Sequence, residues 1–140
     1  MYARWGEASA LPNDSGMTAD ERLFFDARPE AFTLYETLRC ALLRAYPETA
    51  IKVTKTQIAF RSRYVYAVVS LPRGRGMGGP AARLLVSFGL AYRSASPRVA
   101  MAVEAYPNRW THHVPVTHPG DIDGELLALL GEAYAFSMAK

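Results

Sequence analysis

Two hydrophobic periods organise the chain. Between residues 31 and 45, Ala31, Leu34, Tyr35, Leu38, Ala41, Leu42 and Ala45 recur at the three-and-four spacing of one helical stripe. Glu30, Glu36, Arg39 and Arg44 fall on the other faces, Pro29 suits the first turn, and Pro47 stops the element. A helix over 29–46 is predicted. Upstream, Thr18 and Glu21 have the spacing of a capping box for a short helix that holds Leu23, Phe24 and Phe25 and ends near Asp26. Near the end of the chain, Ile122, Leu126, Leu129, Leu130, Ala133 and Tyr134 form a wide stripe. Asp121 reads as the N-cap of that helix, with Asp123 and Glu125 in its first turn.

Between these helices the period falls from 3.6 to 2. Ile51 and Val53 alternate with Lys52 and Thr54, and Ile58 and Phe60 with Gln57, Ala59 and Arg61. The stretch 64–71 is rich in β-branched and aromatic residues. Leu84, Val86, Phe88 and Leu90 form the next alternation, followed by Val99, Met101 and Val103, and then by Trp110, His112, Val114 and Val116. The connections are too short for helical crossovers, which makes the pairing antiparallel. The expected fold is α+β: an antiparallel sheet of about six strands with N- and C-terminal helices packed side by side on one face. Lys52 and Arg61 then point to the other face, where alternation also places Ala59, Ser87, Gly89, Ala100, Ala102 and Glu104.

The length of 140 residues fits one domain over 18–140. The first 17 residues lack periodicity and read as a tail. With 50% hydrophobic and 21% charged residues, the chain is not compositionally disordered. Cys40 is the single cysteine, which excludes an intramolecular disulfide and fits a reducing compartment; it reads as a small core residue. No apolar run reaches the ~18 residues of a membrane span, and the start of the chain has no apolar core of a secretory signal, so a cytoplasmic location is expected.

Charge changes the picture more than composition does. Residues 1–48 hold five Lys/Arg against eight Asp/Glu, a net of −3; residues 49–118 hold ten against Glu104 alone, a net of +9; residues 119–140 return to −3. A basic sheet between acidic helices would attract a polyanion, unless the helices neutralise it within the molecule. The glycine-rich segment 73–80 with Arg73 and Arg75 lacks the Gly-Lys-Ser/Thr of a P-loop, and a strand follows it where a dinucleotide fingerprint needs a helix. It reads as an inter-strand connection whose arginines are placed to meet an anion. His112 and His113 point to opposite faces of one strand, which argues against a shared metal. No nucleophile elbow is present, and neither a cofactor nor a metal is expected.

Three stretches carry a resemblance: 24–35 (FFDARPEAFTLY); 51–61 (IKVTKTQIAFR) running into 64–68 (YVYAV); and His113-Val114 followed by Asp121-Ile122-Asp123 and Ala133-Tyr134. Together they resemble the bacterial family catalogued as domain of unknown function 5655, over about residues 21–136. That resemblance implies a small α+β domain and no established activity, and it matches a recurring lysine of the family to Lys55. More remotely, the architecture is similar to frataxin-like iron-handling domains, whose acidic ridge contrasts with the basic sheet here. Lys52, Lys55, Gln57, Arg61, Arg63, Arg73, Arg75 and His113 have no evident folding role and are the candidate anion-binding residues. The expected function is a non-enzymatic binding module for nucleic acid or another polyanion. The alternatives are a binder or enzyme for a small anionic metabolite, and a protein-interaction accessory domain.

Overall fold

The computed structural model describes residues 16–72 and 81–139. The element order is α1 (Ala19–Phe24), α2 (Pro29–Ala45), β1 (Ala50–Val53), β2 (Ile58–Arg61), β3 (Val65–Ser70), β4 (Leu84–Leu90), β5 (Met101–Tyr106), β6 (Arg109–Val116), a 3-10 turn (Pro119–Asp121) and α3 (Gly124–Met138). The strands form one antiparallel six-stranded sheet in the order β1-β2-β3-β4-β6-β5. The expected α+β architecture is therefore present. The expected tail lies, apart from Gly16 and Met17, outside the described residues, as do Arg73 and Arg75.

One core organises the layers. It joins Leu34, Tyr35, Leu38 and Leu42 of α2, Leu126, Leu129, Leu130 and Ala133 of α3, and a single alternating set from the strands. That set is Ile58 and Phe60 on β2, Val69 on β3, Leu84, Val86, Phe88 and Leu90 on β4, and Val114 and Val116 on β6. Both long helices thus cover the same face of the sheet, as one-sided stripes require. The helices meet at Tyr46, the C-cap of α2, whose ring stacks on Tyr134 of α3 with centroids 3.9 Å apart. The approach is close enough that a Cβ on Gly131 would stand 3.3 Å from the Tyr46 hydroxyl. Tyr66 sits edge-on to both rings, because a bulge between Phe60 and Arg61 interrupts the β2–β3 register there. Its buried hydroxyl bonds Thr49 at 2.8 Å, and burial pushes its pKa up to about 12.

α1 is held by a buried charge. The Thr18–Glu21 capping box forms, with Glu21 N–H donating to Thr18 Oγ1 at 3.1 Å and Thr18 N–H to Glu21 Oε1 at 2.9 Å. The other oxygen of Glu21 accepts from Arg39 Nε at 2.7 Å and from the Tyr35 hydroxyl. Glu21 is 1% exposed and Arg39 7%. A carboxylate so buried is tolerated only when paired and hydrogen-bonded, and here α2 supplies both partners.

Arg39, read as lying off the apolar face, is buried against Glu21, and Cys40, read as a core residue, is only half-buried; two further expectations need correction. Asp121 does not cap α3; Asp123 does, accepting from Leu126 N–H at 3.0 Å. Asp121 instead closes the turn before the helix, accepting from the N–H groups of Thr117 and His118 at 2.9 and 3.3 Å. On β5, Ala102 pairs with His112 and Glu104 with Trp110, so both belong to the helix-covered side of the sheet. Met101 and Val103 take the open side and are 46% and 49% exposed. Pro115 is accommodated in β6 because β5 pairing ends at His113, which leaves that stretch with β4 as its neighbour.

Truncating Leu38 or Leu126, each fully buried, to Ala is expected to destabilise the domain by about 2–5 kcal/mol in urea melts. Glu21→Ala, which removes the carboxylate from its buried pair with Arg39, is expected to cost about 3–5 kcal/mol in the same melts.

Candidate anion-binding face

The register builds the open face in rows. One row crosses the sheet as Lys52, Ala59, Val68, Ser87, His113 and Met101, each paired with the next. Arg61 lies one step along β2 toward the β2–β3 turn, and Gly89, Thr111 and Val103 form the neighbouring row on β4, β6 and β5. Arg109 stands two residues before Thr111 and shares its side by alternation. Small residues in the centre leave a trough of about 190 Å³ lined by Val68, Ser87, Gly89, Arg109 and Thr111. Lys52 and Arg61 flank it on the β1–β2 side, and Met101 and Val103 on the β5 side. Among the described residues of these strands, the open side carries no carboxylate, because Glu104 faces the other way.

The acidic helices neutralise only part of the basic segment. Arg98 Nη1 donates to both carboxylate oxygens of Asp123, at 2.9 and 3.1 Å, and pins the β4–β5 loop to the start of α3. Arg83 lies 3.7 Å from Glu30. Lys52, Lys55, Arg61, Arg63, Arg93 and Arg109 have no ion pair among the described residues. Three of these arginines lie over aromatic rings instead: Arg63 over Tyr64 at 5.6 Å, Arg93 over Trp110 at 6.0 Å, and Arg109 over Tyr106 at 5.7 Å and Phe136 at 5.5 Å.

The sequence candidates divide among three places. Lys52, Arg61 and His113 reach the open face, and Arg63 follows on the β2–β3 turn, where Arg61 Nε donates to its carbonyl at 3.4 Å. Lys55 and Gln57 sit in the β1–β2 turn at the opposite end of β2, so no pocket closes around Lys55 and Arg61. Lys55 instead lines a separate cleft of about 230 Å³ with Phe24, Arg28, Thr56, Leu71 and Pro72. Arg73 and Arg75 are outside the described residues. Arg109 was legible only as one cation of the segment; its signal was its position just after Pro107-Asn108. Asn108 has φ 65°, the turn residue that turns β5 back into β6.

The two adjacent histidines differ in role. His112 is fully buried on the helix-covered side and stacks on Phe88 with centroids 5.3 Å apart. Ser94 N–H donates to its Nε2 at 2.9 Å, which leaves Nδ1 to carry the proton and donate to the Trp110 carbonyl at 3.1 Å. Both nitrogens are committed to the neutral ring, and burial holds its pKa below the usual histidine value. His113 Nδ1 and Ser87 Oγ lie 2.7 Å apart in a hydrogen bond, and burial lowers its pKa as well. This Ser–His pair sits in mid-ladder, with Ser87 paired to Val68 on one side and His113 on the other. Among the described residues no group of three or more His, Cys, Asp or Glu is placed to hold a metal, and no helix is long and apolar enough to cross a membrane.

The family described as Domain of unknown function (DUF5655) matches residues 21–137. The chain belongs to that family, and the match runs from the buried glutamate of α1 to the last turn of α3. No curated protein and no solved structure matches the chain, so the remote likeness to frataxin-like domains finds no support there.

Both folded-state histidine pKa values lie below the unfolded value of about 6.5. The unfolded chain then binds more protons in acid, so stability is full above that pH and declines as pH falls through and below it. Urea melts from pH 7.5 to 5 are expected to show this decline. The His112→Gln/His113→Gln variant, although less stable at neutral pH, is expected to show a flatter dependence over the same range.

Proposed function

We propose that this domain is a non-enzymatic binding module that holds single-stranded nucleic acid across the open face of its sheet. One observation carries the reading: Lys52, Arg61 and Arg109 lie on a face without a carboxylate among its described strand residues, and none of the three has an ion pair among the described residues. A polyanion is the ligand class that such a face attracts. The rim favours single strands. Tyr106 is 59% exposed with Arg109 over one side of its ring, which leaves the other face for an unstacked base. Among the described residues no helix projects from the open face to enter a major groove, so little sequence preference is expected.

A second reading has its own observation. In the cleft between Arg28 and Lys55, Arg28 Nη2 donates to the Pro72 carbonyl at 3.2 Å, which leaves further guanidinium N–H groups for a small anionic metabolite. A thermal-shift screen over small anions separates the two: stabilisation that Lys55→Ala abolishes and Arg61→Ala leaves intact assigns binding to the cleft.

Fluorescence anisotropy with labelled single-stranded and duplex oligonucleotides at low salt tests the first reading. Binding of the single strand tighter than about 100 μM is expected, with affinity falling steeply as salt rises. Replacing Lys52, Arg61 and Arg63 together by Ala is expected to weaken binding and flatten the logarithmic salt dependence by about 2, since each lost phosphate contact removes about 0.7 from the slope for single strands. Absence of binding below that concentration would retire the nucleic-acid reading.

A further inference from the structure

Arg109 differs from the other cations of the open face in lying down within the trough. A Cβ built at Gly89 would stand 3.7 Å from Arg109 Nη2 and 3.8 Å from its Cζ, ordinary van der Waals distance, so the guanidinium lies against the β4 backbone at that glycine. Its Cζ lies 5.7 Å from the Tyr106 ring centroid and 5.5 Å from that of Phe136, whose ring edge is also 3.9 Å from the Gly89 Cβ position. The two rings bias where the head group rests. Its N–H groups, however, make no hydrogen bond among the described residues, and neither does the hydroxyl of Thr111, which lines the same trough. Ser87 alongside is already engaged by His113.

The ring contacts account for where this half-buried arginine lies but not for its donors, which find no partner among the described residues, and unmet polar groups oppose burial. The planar guanidinium fork matches two oxygens of one oxyanion, and a hydroxyl beside it adds a third donor. We propose that this trough is a phosphate subsite, in which Arg109 grips one phosphate group through its fork and Thr111 donates a further hydrogen bond. The choice of phosphate rests on the nucleic-acid reading above. The same chemistry would take free phosphate or a backbone phosphodiester, and the test separates them.

The experiment is an amide NMR titration of the full chain at constant ionic strength and neutral pH, with sodium phosphate in one arm and a thymidine pentanucleotide lacking terminal phosphates in the other. Saturable shifts centred on Gly89, Arg109 and Thr111 are expected in both arms. Arg109→Lys, which keeps the charge but loses the fork, is expected to weaken them by about tenfold or more. Thr111→Val, close to isosteric, is expected to weaken them several-fold and serves if Arg109→Lys fails to fold. Shifts spread evenly over Lys52, Lys55 and Arg61, or unchanged affinity in both variants, would overturn the subsite. Saturation by phosphate without pentanucleotide binding would sustain the subsite and retire the polymer reading. Pentanucleotide binding indifferent to both variants would do the reverse.

Discussion

The apolar cover lies on one side of the sheet, and most of the architecture follows from that constraint. Two helices with single stripes need a common surface, so α2 and α3 share one core with one alternating set of strand residues. The opposite set is released from packing and takes small, hydroxylated and basic residues. What reads along the chain as weak alternation in β4, with Ser87 and Gly89 between large apolar residues, becomes a trough in three dimensions. The same division accounts for the charge map. Acidic residues on the helices meet basic ones at a few places, Arg39 with Glu21, Arg83 with Glu30 and Arg98 with Asp123, while the cations of the far side are left to solvent.

The elements were legible wherever local chemistry decides. Thr18 and Glu21 announced the cap of α1, the stripe from Ala31 to Leu42 announced α2, and the alternation through His112, Val114 and Val116 announced β6. Reading failed where two local answers were equally good. Asp121 and Asp123 are both adequate caps, and Pro119 decides between them by opening a separate 3-10 turn. On β5, Met101 and Val103 alternate with the equally apolar Ala102, so its phase is set by its register on β6, whose inward residue is His112. A histidine as the buried residue of a strand is unusual unless both nitrogens are satisfied. The Ser94 N–H that satisfies one lies 18 residues away in sequence.

The candidate site was legible in part for the same reason. Lys52, Arg61 and Arg63 stood out because no folding role claims them, and the structure places the first two on the open face with Arg63 at its rim. Lys55 and Gln57 shared that property but lie at the other end of the hairpin, a separation set by the turn over residues 54–57. Arg109 passed without notice because its distinction is relational: it lies against Gly89, Tyr106 and Phe136, three residues on three other elements.

The contacts that fasten the helices differ in the length of chain they close. Glu21 and Arg39 are 18 residues apart, whereas Glu48 and Tyr134, which tie α3 to the end of α2, are 86 apart. Loop closure grows with the logarithm of length, so the second contact opposes about 1.4 kcal/mol more chain entropy than the first. Chain entropy alone therefore favours pairing α1 with α2 before α3 is fastened at Glu48, and the sheet, once formed, shortens the effective loop that the second contact must close.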